Sequence, residues 1–281
     1  MGRGIARNLD AKGLLVAAFD TRPGAFAEAG LSDRVTEAES DALIECADVV
    51  LFVVPSTAQI AAFFAKVKGR SGQVVIDVTT SDPAQSRALA ADLAKRGIAY
   101  VDAAMTGGAA GADAGTLTLM IGGSPQHVAA CRPVFDAMSS KIFHLGETGA
   151  GHAMKLVHNL ILHSSFLATC ERLHLAERAG INLDSAVEVL NAGNARSFVT
   201  EVRFPRDILS GTMAARSRIA NLEKDLGLAL DFAGDAAARV PFGTLTHDML
   251  AGALAAGHAE TDFSWLFPLY EELVERLEDE T

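Results

Sequence analysis

Three residues in the stretch GAGHAMKLVHN have the types and the spacing to do chemistry. Gly151, Lys155 and Asn159 stand at i, i+4 and i+8. On a helix they share one face. Lys155 lies among Ala153, Met154, Leu156 and Val157. A lysine in such company either snorkels its ammonium to water or is partly desolvated into an acid/base group. Gly149 and Gly151 remove bulk one turn away, which lets a ligand approach. His158 and His163 read as packing or hydrogen-bonding residues. No carboxylate or cysteine cluster accompanies them, and no metal site is expected.

Three further groups carry possible chemistry. The stretch DAAMTGGAAGADAGTLTLMIGG holds six glycines in 22 residues. Glycines permit positive φ and bring backbone N–H groups close to a ligand, and they also serve plain tight loops. Thr106, Gly107 and Gly108 follow the carboxyl end of a strand, where ligands bind in open α/β sheets. Asp20 ends the apolar run LLVAAFD. An acid there accepts hydrogen bonds from the adenosine ribose of NAD, or simply makes a turn. Lys224 and Asp225 read, on pattern alone, as a charged pair on a solvated face.

The elements that must position these residues fall into two halves. Up to about Leu145, strands alternate with helices. LLVAAFD, DVVLFVVP, QVVIDVTT, AYVDAAM, GTLTLMIGG and KIFHLG read as strands. PGAFAEAG, STAQIAAFFAKV, DPAQSRALAADLAKRG and SPQHVAACRPVFDAM read as helices, with Ser56 or Thr57 a candidate cap and Pro83 in a first turn. Buried Val/Ile strands alternating with helices predict a parallel, doubly wound (Rossmann-type) α/β sheet. After ETGAGH the strands stop. A long helix runs to Gly180, and LDSAVEVLNAG, IANLEKDLGLALDFAGDA, FGTLTHDMLAGALAAG and LFPLYEELVERLEDE keep a helical period. The expected domains are 1–148, dinucleotide-binding, and 149–281, an all-α substrate and dimerisation domain that includes the connecting helix.

Composition narrows the class. The chain is 49% hydrophobic and 21% charged, with a formal net charge of −11. That charge argues against nucleic acid and against an anionic membrane surface. Cys46, Cys131 and Cys170 are far apart and read as buried thiols. The most apolar window is interrupted by Asp48 and Pro55, so it reads as strand, turn and helix and not as a span. The expected compartment is the cytoplasm.

Taken in order, RGIARNLDAKG, FDTRPGA, DVVLFVVP, VVIDVTTSDP, GIAYVDAAMTGGAAGADAGTLTLMIGG, GAGHAMKLVHN, KDLGLAL and TDFSWLFPLYEEL resemble the β-hydroxyacid dehydrogenase family, the relatives of 3-hydroxyisobutyrate dehydrogenase. The resemblance covers essentially the whole chain. It implies that Lys155 is the catalytic acid/base and that Asn159 orients the substrate beside it. Thr106, Gly107 and Gly108 would hold the carboxylate of a small substrate, with Thr where relatives usually carry Ser. Val54, Pro55, Gln59 and Thr80 would line the nicotinamide half of the cofactor site, and Lys224 would close over the cofactor with Asp225 positioning it. Asp20 followed by Thr21 favours NAD, while Arg22 keeps NADP open. The implied reaction is hydride transfer between NAD(P) and a 3-hydroxy acid or its semialdehyde or keto form, in a homodimer or homotetramer.

Two local departures matter. KLVHN is closer to 6-phosphogluconate dehydrogenase, but the acid that enzyme carries about one turn on is Leu162 here. This argues against decarboxylation. Imine reductases share the fold and generally lack the lysine. At the start, MG matches the end of the family's G-x-G-x-x-G turn, which makes Gly2 its third glycine. The family's first strand and first two glycines would lie ahead of Met1, so the native start is expected roughly a dozen residues earlier. The competing reading is a catalytically inactive relative that serves as a ligand-binding or scaffold protein. Retained Lys155, Asn159 and Lys224 favour the enzyme, and the missing first part of the glycine loop favours the alternative.

Overall fold

The computed structural model describes residues 1–279, with backbone alone at 40, 41, 45, 278 and 279. The chain divides into two compact units, Met1–Lys155 and Leu156–Thr281.

The first unit opens with helix α1 (Gly2–Ala11), which buries Gly4, Ile5 and Leu9. A side chain at Gly4 would stand 2.7 Å from the backbone of Ala112 and Asp113, so only glycine lets α1 cross helix α6 (Gly108–Ala114) this closely. Strand β1 (Ala17–Ala18) and helix α2 (Ala25–Ala29) follow, then β2 (Thr36–Glu37) and α3 (Ser40–Cys46). Among the described residues β1 pairs, in parallel, only with β2. The apolar run LLVAAFD is therefore mostly not a buried strand. Leu14, Val16 and Phe19 are 40%, 52% and 48% exposed. One two-residue ladder neither pairs nor covers a longer strand.

The main sheet has the order β3 (Val49–Phe52), β4 (Val74–Asp77), β5 (Ala99–Thr106), β6 (Leu117–Gly122) and β7 (Ser139–Gly146). Its neighbours are parallel except β5 and β6, which pair antiparallel with Thr106 opposite Thr118. The expected parallel, doubly wound sheet is present, with this one ladder antiparallel. Only residues 107–116 separate β5 from β6, too short a link for the usual parallel crossover. Side chains alternate across β4. Val74, Ile76 and Val78 pack with α1 and α8 (Arg132–Met138) on one face. Val75 packs with α4 (Thr57–Phe64) and α5 (Pro83–Ala94) on the other. The predicted helix SPQHVAACRPVFDAM is broken at Cys131 into α7 (Pro125–Ala130) and α8, because Pro133 cannot extend α7.

Helix α9 (Ala150–Arg178) begins in the first unit and continues into the second. The second unit adds α10 (Leu183–Ala192), a π-helical stretch (Val199–Leu209), α11 (Ile219–Asp235), α12 (Pro241–Ala255), a 3-10 turn (Phe263–Leu266) and α13 (Tyr270–Asp279). Phe166, Leu173, Phe204, Leu226, Leu250 and Leu266 are among its buried core. Among the described residues no helix is long and apolar enough to cross a membrane, and no cluster of His, Cys, Asp and Glu could hold a metal. Cys131 and Cys170 are buried and Cys46 is exposed, which corrects the expectation for Cys46.

Candidate active site

In the first unit the candidate residues gather at the carboxyl ends of β3, β4 and β5. Val54 and Pro55 leave β3, and Thr80 follows β4. Ser56 precedes α4 and makes no side-chain cap; its hydroxyl donates to Gln59 Oε1 at 2.6 Å. Thr57 turns inward instead and donates to Asp77 Oδ2 at 2.6 Å. Thr106, at the end of β5, is half-buried, and Gly107 and Gly108 after it are exposed. Their φ values are +122° and +64°, conformations that favour glycine. A Cβ at Gly108 would meet nothing within 4 Å, so this backbone faces open space.

The first turn of α9 is set on a buried polar network. The Asp102 carboxylate on β5 accepts the Gly149 N–H at 2.7 Å and the His152 N–H at 3.0 Å. The His152 ring is buried, with Nδ1 2.6 Å from Ser86 Oγ and Nε2 3.7 Å from Asp77 Oδ1. The Tyr100 hydroxyl donates to Asp77 Oδ2 at 2.7 Å. Burial pushes the Asp102 carboxyl above the ordinary carboxylate range, while His152 and the two backbone N–H groups pull it back. Burial, with Asp77 beside it, raises the Tyr100 phenol far beyond the usual range. Lys155 stands one turn after His152 and is half-buried. None of Asp77, Ser86, Asp102 and His152 was singled out from the sequence. A carboxylate inside the apolar strand AYVDAAM was the signal available.

In the second unit Asn159 is buried, and its Nδ2 donates to Asp225 Oδ2 at 2.8 Å. Lys224 Nζ is 3.0 Å from Asp225 Oδ1. Asn159, Lys224 and Asp225 therefore form one connected group on α9 and α11. His158 Nδ1 lies 3.0 Å from Asn159 Oδ1. Arg203 lies over the rings of Phe198 and Phe263, 5.5 and 5.1 Å from their centroids. Arg218 instead pairs with Glu260 at 2.8 Å.

The first unit fits a dinucleotide. α1 begins at Gly2 with no side-chain cap and no acidic residue in its first turn, the arrangement that receives a phosphate. Asp20 is exposed and accepts the Arg22 N–H at 2.8 Å. Arg22 turns to Glu28 in a two-pronged pair of 2.9 and 2.7 Å.

Comparison with known proteins agrees with this fold. Residues 1–146 match the NAD binding domain of 6-phosphogluconate dehydrogenase. Residues 149–270 match the NAD-binding family of NADP-dependent 3-hydroxyisobutyrate dehydrogenase. The chain is 30% identical to 2-(hydroxymethyl)glutarate dehydrogenase of Eubacterium barkeri over 279 residues, covering 97% of this chain and 92% of that protein. It is 32% identical to the NAD-dependent L-serine dehydrogenase of Pseudomonas aeruginosa over 290 residues, with 96% and 95% covered. The structure of Mycobacterium tuberculosis 3-hydroxyisobutyrate dehydrogenase with L-serine superposes with a TM-score of 0.86 at 29% identity, covering 95% of this chain and 94% of that one. The chain belongs to the β-hydroxyacid dehydrogenase family and is an NAD(P)-dependent oxidoreductase acting on CH–OH.

Proposed function

We propose that the protein oxidises a small 3-hydroxy acid of the form HO–CH2–CH(R)–COO− to its semialdehyde, or reduces the semialdehyde, with Lys155 as the general acid/base. The serine, hydroxyisobutyrate and hydroxymethylglutarate named for its relatives share that skeleton. The observation that carries the reading is the tie between β5 and α9. Asp102 holds the turn before Lys155, and its own strand ends in Thr106, Gly107 and Gly108.

Each residue then has a chemical task. The Thr106 hydroxyl and the backbone of Gly107 and Gly108, open at Gly108, bind the substrate carboxylate. Asn159, held by Asp225, orients the substrate oxygen. In oxidation neutral Lys155 takes the hydroxyl proton; in reduction its ammonium gives a proton to the carbonyl oxygen. The nicotinamide, when bound, supplies the hydride chemistry. Gly2 at the start of α1 receives the pyrophosphate and Asp20 the adenosine ribose. Val54, Pro55, Gln59 and Thr80 line the nicotinamide end, and Lys224 covers the cofactor. NAD is the preferred cofactor because Arg22 is engaged by Glu28. Residues 1–148 are the cofactor domain and 149–281 the substrate and dimerisation domain. Ile161, Leu175, Val189 and Phe242, 64%, 66%, 72% and 81% exposed, offer the apolar contact of a homodimer or homotetramer.

The test is turnover of 3-hydroxyisobutyrate, L-serine and 2-(hydroxymethyl)glutarate with NAD, beside Lys155→Ala. General acid–base groups contribute about 100- to 10,000-fold, and a loss in kcat of that order is expected. Full activity of the variant would end the lysine assignment. Saturable NADH binding with no turnover of any 3-hydroxy acid would favour the inactive ligand-binding relative.

A further inference from the structure

We propose that Asp102 is the positioning residue for Lys155, setting the distance between the amine and the substrate-carboxylate loop. The inference rests on Lys155 being the acid/base group. Asp102 and Thr106 lie on one strand at i and i+4, so they share a face of the sheet. The strand is a straight spacer of roughly 13 Å between them. At one end its backbone leads into Gly107 and Gly108. At the other, the Asp102 carboxylate takes the N–H groups of Gly149 and His152. Both hydrogen bonds are to an acceptor from another element, so α9 begins where β5 dictates.

The surrounding residues are shaped for this contact. A Cβ at Gly122, which faces Asp102 across the ladder, would lie 2.7 Å from Asp102 Oδ1 and 2.8 Å from the Ala150 nitrogen. One at Gly151 would collide with the Met120 carbonyl oxygen and stand 2.9 Å from Asp102 Oδ2. Two glycines, on β6 and on α9, thus let the carboxylate reach the helix start. The His152 side chain locks the same turn from the other side, through Ser86 on α5. Lys155 follows one turn later and inherits its placement. Asp102 is fully buried, with its carboxylate spent on backbone N–H groups, so it acts through Lys155.

The experiment is a double-mutant cycle of Asp102→Asn and Lys155→Ala in the full chain. Asparagine keeps one acceptor oxygen and turns an NH2 donor toward a backbone N–H. Misplacing a catalytic group by about 1 Å costs on the order of 100-fold, so kcat of Asp102→Asn should fall roughly 10- to 100-fold. KM for the hydroxy acid should move less than about threefold, because the loop is untouched. NADH affinity should stay the same. The double variant should be no slower than Lys155→Ala, since residues that act as a unit are not additive.

If Lys155→Ala retains full kcat, the acid/base reading fails. If it collapses while Asp102→Asn is unchanged, or slows the Lys155→Ala background as much as the native one, the positioning role alone is overturned. A measurement on the unaltered protein covers an Asp102→Asn chain that does not fold. The Gly149 and His152 amides should exchange with solvent far more slowly than exposed amides; exchange at the exposed rate overturns the proposal.

Discussion

Arg22 illustrates how a neighbour decides what a side chain can bind. Its guanidinium and the Glu28 carboxylate are 58% and 56% exposed, and their pair spans 2.7 Å. The pairing lifts Arg22 above its usual range and holds Glu28 below its own. An exposed pair of this kind is weak, because solvent screens it. It still opposes a phosphate that would need the same guanidinium. Glu28→Gln should therefore raise NADPH affinity by about threefold to fivefold and leave NADH affinity nearly unchanged. Titration of nicotinamide fluorescence with each cofactor measures both. An unchanged NADPH affinity would show that Arg22 is not at the adenosine end. Asp20, Thr21 and Arg22 were readable from the sequence because they adjoin one another. The Glu28 pairing was not, since it depends on how the turn into α2 folds. The Asp102 network was hidden for a related reason. Its members at 77, 86, 102 and 152 meet only through strand register and the space that Gly122 and Gly151 leave.

Most helices and the main strands were legible at the level of elements, because apolar period and punctuation marked them. Asp82 caps the Ala84 N–H, and Pro83 starts α5 where its sequence indicated. The Val199–Leu209 stretch was not legible. Pro205 interrupts it, and its wide turns follow no 3.6-residue period. Beside its buried Val199, Phe204 and Ile208, the stretch carries an ion-pair cluster. Asp207 is 4% exposed and accepts from Arg206 Nε and Nη2 at 2.7 and 2.8 Å and from Arg203 Nη1 at 3.3 Å. Arg203 itself is 16% exposed. Removing one side of a buried pair strands the other charge, at a cost of about 3–5 kcal/mol. Asp207→Ala should destabilise the second unit by about that amount in urea denaturation. A loss under about 1 kcal/mol would mean that packing around Phe204, and not this pair, keeps the stretch in place.

Across the whole molecule, the buried carboxylates Asp102 and Asp207, one in each unit, respond to acid in opposite directions. Asp102 in the first unit is raised by burial. Folded protein then holds its proton more tightly than unfolded chain does. Stability falls as pH rises from the ordinary carboxylate value of about 4 to the raised one. Asp207 in the second unit is pushed up by burial, but Arg206 and Arg203 more than offset this and leave it below its usual value. Its stabilisation is full above about pH 4 and is lost as pH falls through the depressed value. Mild acidification from neutrality should therefore spare or strengthen the first unit, and stronger acid should weaken the second. Trp265, the single tryptophan, lies in the second unit and reports it by fluorescence. Hydrogen-exchange protection in peptides covering β4 and β5 reports the first. Urea midpoints from Trp265 should drop between pH 5 and pH 3, and Asp207→Asn should flatten that drop. Protection of β4 and β5 should be no lower at pH 5 than at pH 7, and Asp102→Asn should remove any gain. Loss of β4 and β5 protection at pH 5 would mean that other groups in the first unit outweigh Asp102, and the assigned direction would fail.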